Sequence, residues 1–422
     1  MTVSYATYRV FTHALWPLAA ATAALRGATG SPEWRERAGL LPGAPPGSVW
    51  LHAASVGEVA AAAPLARALA ERRAGVFVTV VSPTGREAAL RSLDGLPVTF
   101  APLDFVPAVR RVITARRPAA LMLTETELWP NTLYECSEAG VPTGTVNGRL
   151  SERSLRRYTM AGSPMRRLAA RMSFAACRTE EDAARFRTLG VRDDRVRVTG
   201  DTKFDKLGQP AGESTLAELR LSLGLGADSP VVVFGSVRPR EEAEVAAAAR
   251  AILDERPDAR VVAAPRHLER VASMRTEFAS RGMSVALRSE GPEKEASTIV
   301  LDTTGELAAV YAVGRVAFVG GTLADYGGHD PLEPAAQGVP VLFGPHTETC
   351  REAATRLKKA GGAFEVADGS ALALAALRLL SDDAARGRAA GSALAVVTQG
   401  RGATERTIEF LDELGVLNVA RA

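Results

Sequence analysis

VGGTLADYGGHDPLEPAAQGVPVLFGPH, residues 319–346, joins two strand-like runs through a glycine loop and a helix start. The apolar run Val316-Ala317-Phe318-Val319 enters it and reads as a buried parallel strand. Gly320 and Gly321 end that strand. Gly327 and Gly328 follow in a polar loop, where glycine takes positive φ cheaply or lets a ligand approach the backbone. Asp330-Pro331-Leu332-Glu333-Pro334 then has the composition of a helix start, with Asp330 as cap and Pro331 at the first helical position. The next strand, Pro340 to Phe343, ends in another Gly-Pro. A glycine loop and a helix N-terminus at the carboxyl ends of parallel strands form the place where open α/β sheets bind nucleotides and phosphates. Glu333 suits ribose hydroxyls there, although a carboxylate in a first turn also simply complements the helix dipole.

Working outward, the same alternation extends both ways. Upstream strands are expected at Val49–Ala53, Val76–Val81, Val98–Ala101, Ala120–Leu123, Thr143–Val146, Phe174–Ala176 and Arg195–Thr199. A polar hinge at 206–212 precedes a second series at Val231–Phe234, Arg260–Ala263, Thr298–Leu301, Val316–Val319 and Pro340–Phe343. Strands separated by helical stretches predict βαβ units and parallel sheets. The expected organisation is a segment and proline-glycine linker at 1–47, a Rossmann-like domain at 48–205 and a second at 206–422. Alternation alone does not separate a transferase from a periplasmic binding protein or another two-domain enzyme.

Composition narrows the classes. The chain has 422 residues, 46% hydrophobic and 23% charged, which is ordinary for a folded two-domain protein. A net charge of +3 is too weak to argue for nucleic acid. Cys136, Cys177 and Cys350 are widely spaced, with no CxxC, and the histidines make no HxxxH, so neither a disulfide framework nor a zinc site is expected. Val10 to Leu25 is mostly apolar, contains Trp16 and Pro17, and lies between Arg9 and Arg26. It is shorter than the ~20 residues that span a bilayer and lacks a signal-peptide pattern. With the basic, aromatic flank from Ser31 to Arg37, it reads as a helix lying in the membrane surface, the competing reading being a first helix buried against the globular body.

Several blocks, in order, carry a resemblance. They are Ser55-Val56-Gly57-Glu58, Thr124-Glu125-Thr126-Glu127-Leu128-Trp129-Pro130-Asn131, Val146-Asn147-Gly148-Arg149-Leu150-Ser151 and Gly200-Asp201-Thr202-Lys203-Phe204-Asp205. In the second half they are Pro265-Arg266-His267, Asp302-Thr303-Thr304-Gly305-Glu306-Leu307 and the opening stretch. Together they resemble the 3-deoxy-D-manno-octulosonic acid (Kdo) transferases of lipopolysaccharide synthesis over nearly the full length. The resemblance implies a glycosyltransferase-B fold: two Rossmann-like domains facing a cleft, acceptor on the first and nucleotide-sugar on the second. It further implies an inverting, metal-independent enzyme without cofactor on the cytoplasmic side of the inner membrane, taking Kdo from CMP-Kdo to a lipid A precursor. Implied catalytic residues are Glu58 as proton acceptor and Glu125 and Lys203 as transition-state stabilisers. Implied CMP contacts are Pro265, Arg266, Thr304, Gly305, Glu306, Asp330, Pro331, Leu332 and Glu333. Two positions depart from the family pattern. Val237-Arg238 stand where a small residue and a histidine are usual, and Asp330 stands in place of asparagine. The alternatives are a glycosyltransferase-B enzyme with another nucleotide sugar, or a nucleotide-binding homologue without chemistry.

Physical chemistry gives these residues parallel readings. Glu58 follows a strand and opens a helix, so it projects at a strand's carboxyl end, where a weakly acidic sugar hydroxyl needs a base; the competing role is dipole complementation. Glu125 and Glu127 share a face if their strand continues, and such a pair suits a metal. Trp129 is expected in the core. Lys203 and Arg266 sit at strand ends and can offset charge on a departing phosphate, rather than forming the surface salt bridges usual for such residues. Gly235-Ser236 reads as another backbone approach to phosphate. His267 and His329 read as orienting or structural groups rather than catalytic acids, and the helix from Arg240 to Arg250 as a mostly solvated face.

Overall fold

The computed structural model describes residues 5–28, 32–93, 95–160 and 162–417. Two compact units emerge: Met1–Lys206 together with Gly400–Ala422, and Leu207–Gln399. Each is built on a seven-stranded sheet. The first contains β1 (Val49–His52), β2 (Val76–Val80), β3 (Val98–Phe100), β4 (Ala120–Thr124), β5 (Thr143–Gly148), β6 (Phe174–Cys177) and β7 (Val196–Val198) in the order β3-β2-β1-β4-β5-β6-β7. The second contains β8 (Val231–Val237), β9 (Arg260–Pro265), β10 (Val285–Leu287), β11 (Thr298–Val300), β12 (Val316–Val319), β13 (Val341–Phe343) and β14 (Ala363–Glu365) in the order β10-β11-β9-β8-β12-β13-β14. Every paired strand is parallel. The expected α/β class with two Rossmann-like halves is what forms.

The hydrophobic runs explain why both faces are covered. In β1, Val49 and Leu51 pack with Val59, Leu65 and Leu69 of the helix Val56–Glu71, while Trp50 packs with Phe77, Leu121 and Leu123 on the other side. In β8, Val232 and Phe234 face Val245, Ile252 and Leu372, and Val231 and Val233 face Tyr311 and Leu225. A strand buried on both faces has no polar alternation, as the sequence shows. In each sheet the order reverses at one strand: β1 lies between β2 and β4, and β8 between β9 and β12. The crevice at such a reversal, at the carboxyl ends, is where this architecture holds ligands.

One boundary differs from expectation. Residues 400–417 do not extend the second unit. The helix Ala403–Glu413 sends Ile408, Phe410 and Leu411 into the core of the first sheet. Asp205, the last residue of the Gly200–Asp205 block, receives the N–H groups of Gly402 and Thr404, each at 2.6 Å, and so ties the returning chain down. Burying large apolar side chains at ~1.5–3 kcal/mol each fixes this helix to whichever sheet offers the open face. Periodicity reveals that a helix is amphipathic, not which sheet it covers.

The N-terminal segment is a single helix, Tyr5–Ala28, with Pro17 inside it. One face docks on the first unit: the Tyr8 hydroxyl donates to Asp104 at 2.9 Å, Arg9 pairs with Glu135 at 3.2 Å and Trp16 lies 5.7 Å from Phe105. The other face leaves Val10, Phe11, Leu18 and Leu25 between 62% and 72% exposed. The docked face is that of a first helix packed on the globular body, as the competing reading of this stretch has it, and the opposite face is apolar and exposed. Among the described residues no helix is long and apolar enough to cross a membrane. Ser31, which begins the expected basic flank, and residues 1–4, 29 and 30 lie outside the described residues.

Candidate active site

In the first unit, Glu58 is held by its own helix start. Ser55 caps the helix by accepting from the Glu58 N–H at 3.4 Å, and the Glu58 carboxylate in return accepts from the Ala54 N–H at 2.6 Å. This reciprocal arrangement fixes the side chain at the carboxyl end of β1. Burial, and then the nearby charges of Glu127 and Glu125, push its pKa up to about 7, against the pull of the Ala54 hydrogen bond. A carboxylate that titrates near neutrality is matched to proton transfer, whereas a helix-dipole partner needs no such shift.

Glu125 follows β4 but does not continue it. The strand stops at Thr124, and Glu125 adopts φ 59°, with its carbonyl accepting from the Thr145 hydroxyl at 2.6 Å. Its carboxylate lies 3.4 Å from Lys203 Nζ. Glu127 instead accepts from the Trp129 indole N–H at 2.7 Å. The expectation of two carboxylates on one strand face is therefore corrected: the left-handed turn separates their tasks, one binding an ammonium and the other an indole. Trp129 is only half-buried, not core, because its N–H reaches Glu127. Lys203 belongs to a short turn, Thr202–Phe204, beyond β7. The turn is anchored by Thr202, whose N–H donates to Asn147 at 3.0 Å and whose hydroxyl donates to the Ala61 carbonyl at 2.6 Å. Asn147 and Thr202 thus link the blocks that carry Glu58 and Lys203.

In the second unit the expected nucleotide contacts gather at the carboxyl ends of β9, β11 and β12. Pro265 ends β9 and Arg266 follows it, exposed, with its N–H donating to the Val237 carbonyl of β8 at 2.9 Å. Thr304, Gly305 and Glu306 follow β11. Gly305 has φ +87°, and Glu306 pairs with Arg288 at 2.9 Å ahead of the short helix Leu307–Val310. Gly327 and Gly328 take φ of +80° and +85°, as a turn that only glycine enters cheaply requires. Asp330 accepts from the Leu332 N–H at 3.0 Å, and Pro331, Leu332 and Glu333 lead into the five-residue helix Leu332–Ala336.

Two expectations here are corrected. Gly235 and Ser236 lie inside β8, and a Cβ at Gly235 would strike the buried Tyr311 ring, so packing rather than phosphate demands that glycine. The stretch from Arg240 is not a solvated face either. Glu241 is fully buried, and its carboxylate accepts the N–H groups of Arg238, Gly321, Thr322, Leu323 and Ala324 at 2.9, 2.6, 2.8, 2.8 and 3.2 Å. The amides at the start of the glycine loop are thus filled from within by Glu241. Glu242 is buried beside it and pairs with Arg270 at 2.7 Å. Sequence reasoning missed Glu241. The available signal was two adjacent acids opening a helix just after a strand, opposite a glycine loop whose N–H groups need acceptors.

His267 and His329 meet at Arg238, which donates from Nε to His329 at 3.2 Å and from Nη1 to His267 at 2.8 Å. Burial, reinforced by the charges of Arg266 and Arg238, pulls the His329 pKa down to about 4. The group best disposed to hold a metal among the described residues is the surface trio Asp325, His346 and Glu348, away from Glu125 and Glu127 in sequence.

Comparison with known proteins bears on this geometry. Residues 32–206 match the family described as 3-deoxy-D-manno-octulosonic-acid transferase (kdotransferase). The 3-deoxy-D-manno-octulosonic acid transferase of Bordetella pertussis is 34% identical over 381 residues, 86% of this chain and 87% of that one. That of Haemophilus influenzae is 31% identical over 373 residues, 87% of each chain. Among solved structures, UDP-GlcNAc 2-epimerase from Neisseria meningitidis superposes with a TM-score of 0.60 at 15% identity, covering 87% of this chain and 100% of that one. That likeness concerns the two-unit fold, which is of the glycosyltransferase-B type. The relatives matched over most of their length show that the chain is a glycosyltransferase belonging to the 3-deoxy-D-manno-octulosonic acid transferase family.

Proposed function

We propose that the protein transfers Kdo from CMP-Kdo to a hydroxyl of a lipid A precursor, with inversion and without a metal. The observation that carries this reading is Glu58, a carboxylate with a pKa near 7, in a chain that matches Kdo transferases over most of its length. The acceptor oxygen attacks the donor's anomeric carbon while Glu58 takes the hydroxyl proton. The bond from that carbon to the phosphate oxygen breaks, and CMP leaves with the electron pair. Arg266 offsets charge on the departing phosphate, and Lys203, with Glu125, stabilises the transition state. Pro265, the Thr304–Glu306 turn and the Asp330–Glu333 helix start hold CMP. Electrostatic help of this kind raises turnover because it strengthens as charge develops.

The exposed apolar face of Tyr5–Ala28 supports a membrane-surface site on the cytoplasmic side of the inner membrane, where the acceptor lipid resides. Arg26 stacks on Trp34, 4.8 Å from guanidinium to ring centre, at the end of that face, a pairing suited to the headgroup layer. The test is initial-rate CMP release from CMP-Kdo with the purified protein, with and without a tetra-acyl lipid A precursor in detergent. The expected result is release that depends on the lipid and matches glycolipid formation mole for mole. Lipid-independent release, or activity with a UDP-sugar instead, would reject the proposal.

A further inference from the structure

Arg238 is held in an unusual way for an arginine beside a nucleotide site. It follows β8, at the strand where the second sheet reverses order. Its own N–H is fixed by Glu241, and its guanidinium is gripped by the two imidazoles described above. The guanidinium also lies over the Tyr326 ring at 5.3 Å, and Arg240 shares that ring at 5.0 Å. A guanidinium has N–H donors on three nitrogens. Nε and Nη1 meet histidines, and Nη2 has no protein acceptor among the described residues.

The charge around it is unbalanced. Arg238, Arg240 and Arg266 have no carboxylate partner among the described residues, because Glu241 is committed to backbone amides and Glu242 to Arg270. Both histidines accept from Arg238 through Nε2, so those nitrogens carry no proton and do not compete as donors. Histidines used this way orient the fork and add no charge to it.

A nucleoside monophosphate linked to a 2-ulosonic acid carries two anions on one carbon. The anomeric carbon bears the phosphate oxygen and also the carboxylate. A site for such a donor needs two cations side by side. Arg266 and Arg238 meet that requirement, because the Arg266 N–H donates to Val237, the neighbour of Arg238, at 2.9 Å. Their charges also converge on the same ring, His329.

We propose that Arg238, oriented by His267 and His329, recognises the donor's carboxylate while Arg266 takes its phosphate. The assignment rests on the donor being a CMP-linked ulosonic acid. It makes Arg238 a specificity residue that distinguishes a sugar acid from a neutral sugar, and it gives a role to the position where this chain departs from the usual histidine.

The test compares ligands with and without the carboxylate. Arg238→Gln should raise KM for CMP-Kdo by about 10- to 100-fold, the range for a lost charge-assisted hydrogen bond, while Kd for CMP alone stays within about threefold. Arg266→Ala should weaken both. Arg238→Lys, which keeps the charge but not the planar fork, should fall between wild type and Arg238→Gln. A carboxamide analogue of CMP-Kdo should bind wild type as weakly as CMP-Kdo binds Arg238→Gln, and that arm needs no variant to fold. Equal losses for CMP and CMP-Kdo in Arg238→Gln, or a carboxamide that binds wild type as well as the acid, would overturn the assignment. Failure of the wild-type protein to use CMP-Kdo at all would instead reject the donor itself.

Discussion

Replacing Glu241 perturbs the second unit at its most concentrated polar contact. The carboxylate is fully buried and is the acceptor for five backbone N–H groups, four of them from the loop after β12. Alanine leaves those donors without an acceptor. Each unsatisfied buried donor costs about 1–3 kcal/mol, but entering water and loop relaxation recover part, so a total near 3–5 kcal/mol is expected, comparable with breaking a buried charge contact. Against a typical stability of about 5–15 kcal/mol that is a large fraction. Glutamine keeps one oxygen for some of the donors but turns its own N–H groups toward the rest, so it should be intermediate. Because the same loop leads to Asp330 and Glu333, CMP affinity should fall together with stability. The assay is urea denaturation of wild type, Glu241→Gln and Glu241→Ala, with CMP titrations on each folded sample. A Glu241→Ala protein that unfolds at the wild-type urea concentration would refute the reasoning, since five donors, those of Gly321 and Thr322 buried, cannot lose a buried acceptor without cost.

Other outcomes follow from the site. Lys203→Met should lower kcat more than it raises donor KM, and should shift the acid limb of the rate profile upward, because Glu125 then acts on Glu58 without its cation; an unshifted limb would break the proposed coupling. Removing residues 1–30 should release the protein from membranes while leaving CMP binding intact, and equal membrane fractionation of both forms would contradict a docking role for the exposed face. EDTA should leave turnover unchanged, since Glu125 and Glu127 are engaged by Lys203 and Trp129; recovery of a lost rate on adding a divalent cation would reopen the question of a metal.

Most strands of both sheets were legible because doubly covered parallel strands are short continuous apolar runs bounded by turn residues; the three-residue edge strands β10 and β14 of the second sheet, partly exposed and without such a run, were not expected. The helix start at Glu58 was legible for a similar local reason, a Ser-x-x-Glu pattern after a strand. What the sequence concealed is non-local. The path of Ala403–Glu413 back to the first unit depends on which sheet has an open face. The split tasks of Glu125 and Glu127 depend on a left-handed residue where alternation suggested an extended one. Glu241 looked like surface charge because its acceptor role is set by a loop some eighty residues away in sequence. Gly235 looked like a ligand approach, yet answers to Tyr311. Local chemistry fixes single elements; partners brought by the fold decide what a polar side chain does there.

The central claim is that Glu58 accepts the acceptor's proton. It is tested most directly by turnover of Glu58→Gln and wild type, at saturating CMP-Kdo and lipid, across a pH range spanning about 7. Wild type should lose rate as pH falls below about 7, because the carboxylate must be unprotonated to act, and should level off above it. Glu58→Gln should be slower by about a hundredfold or more at the plateau, lose that acid limb, and keep its donor affinity and fold. A folded Glu58→Gln enzyme that turns over near the wild-type rate, with the acid limb intact, would contradict the account.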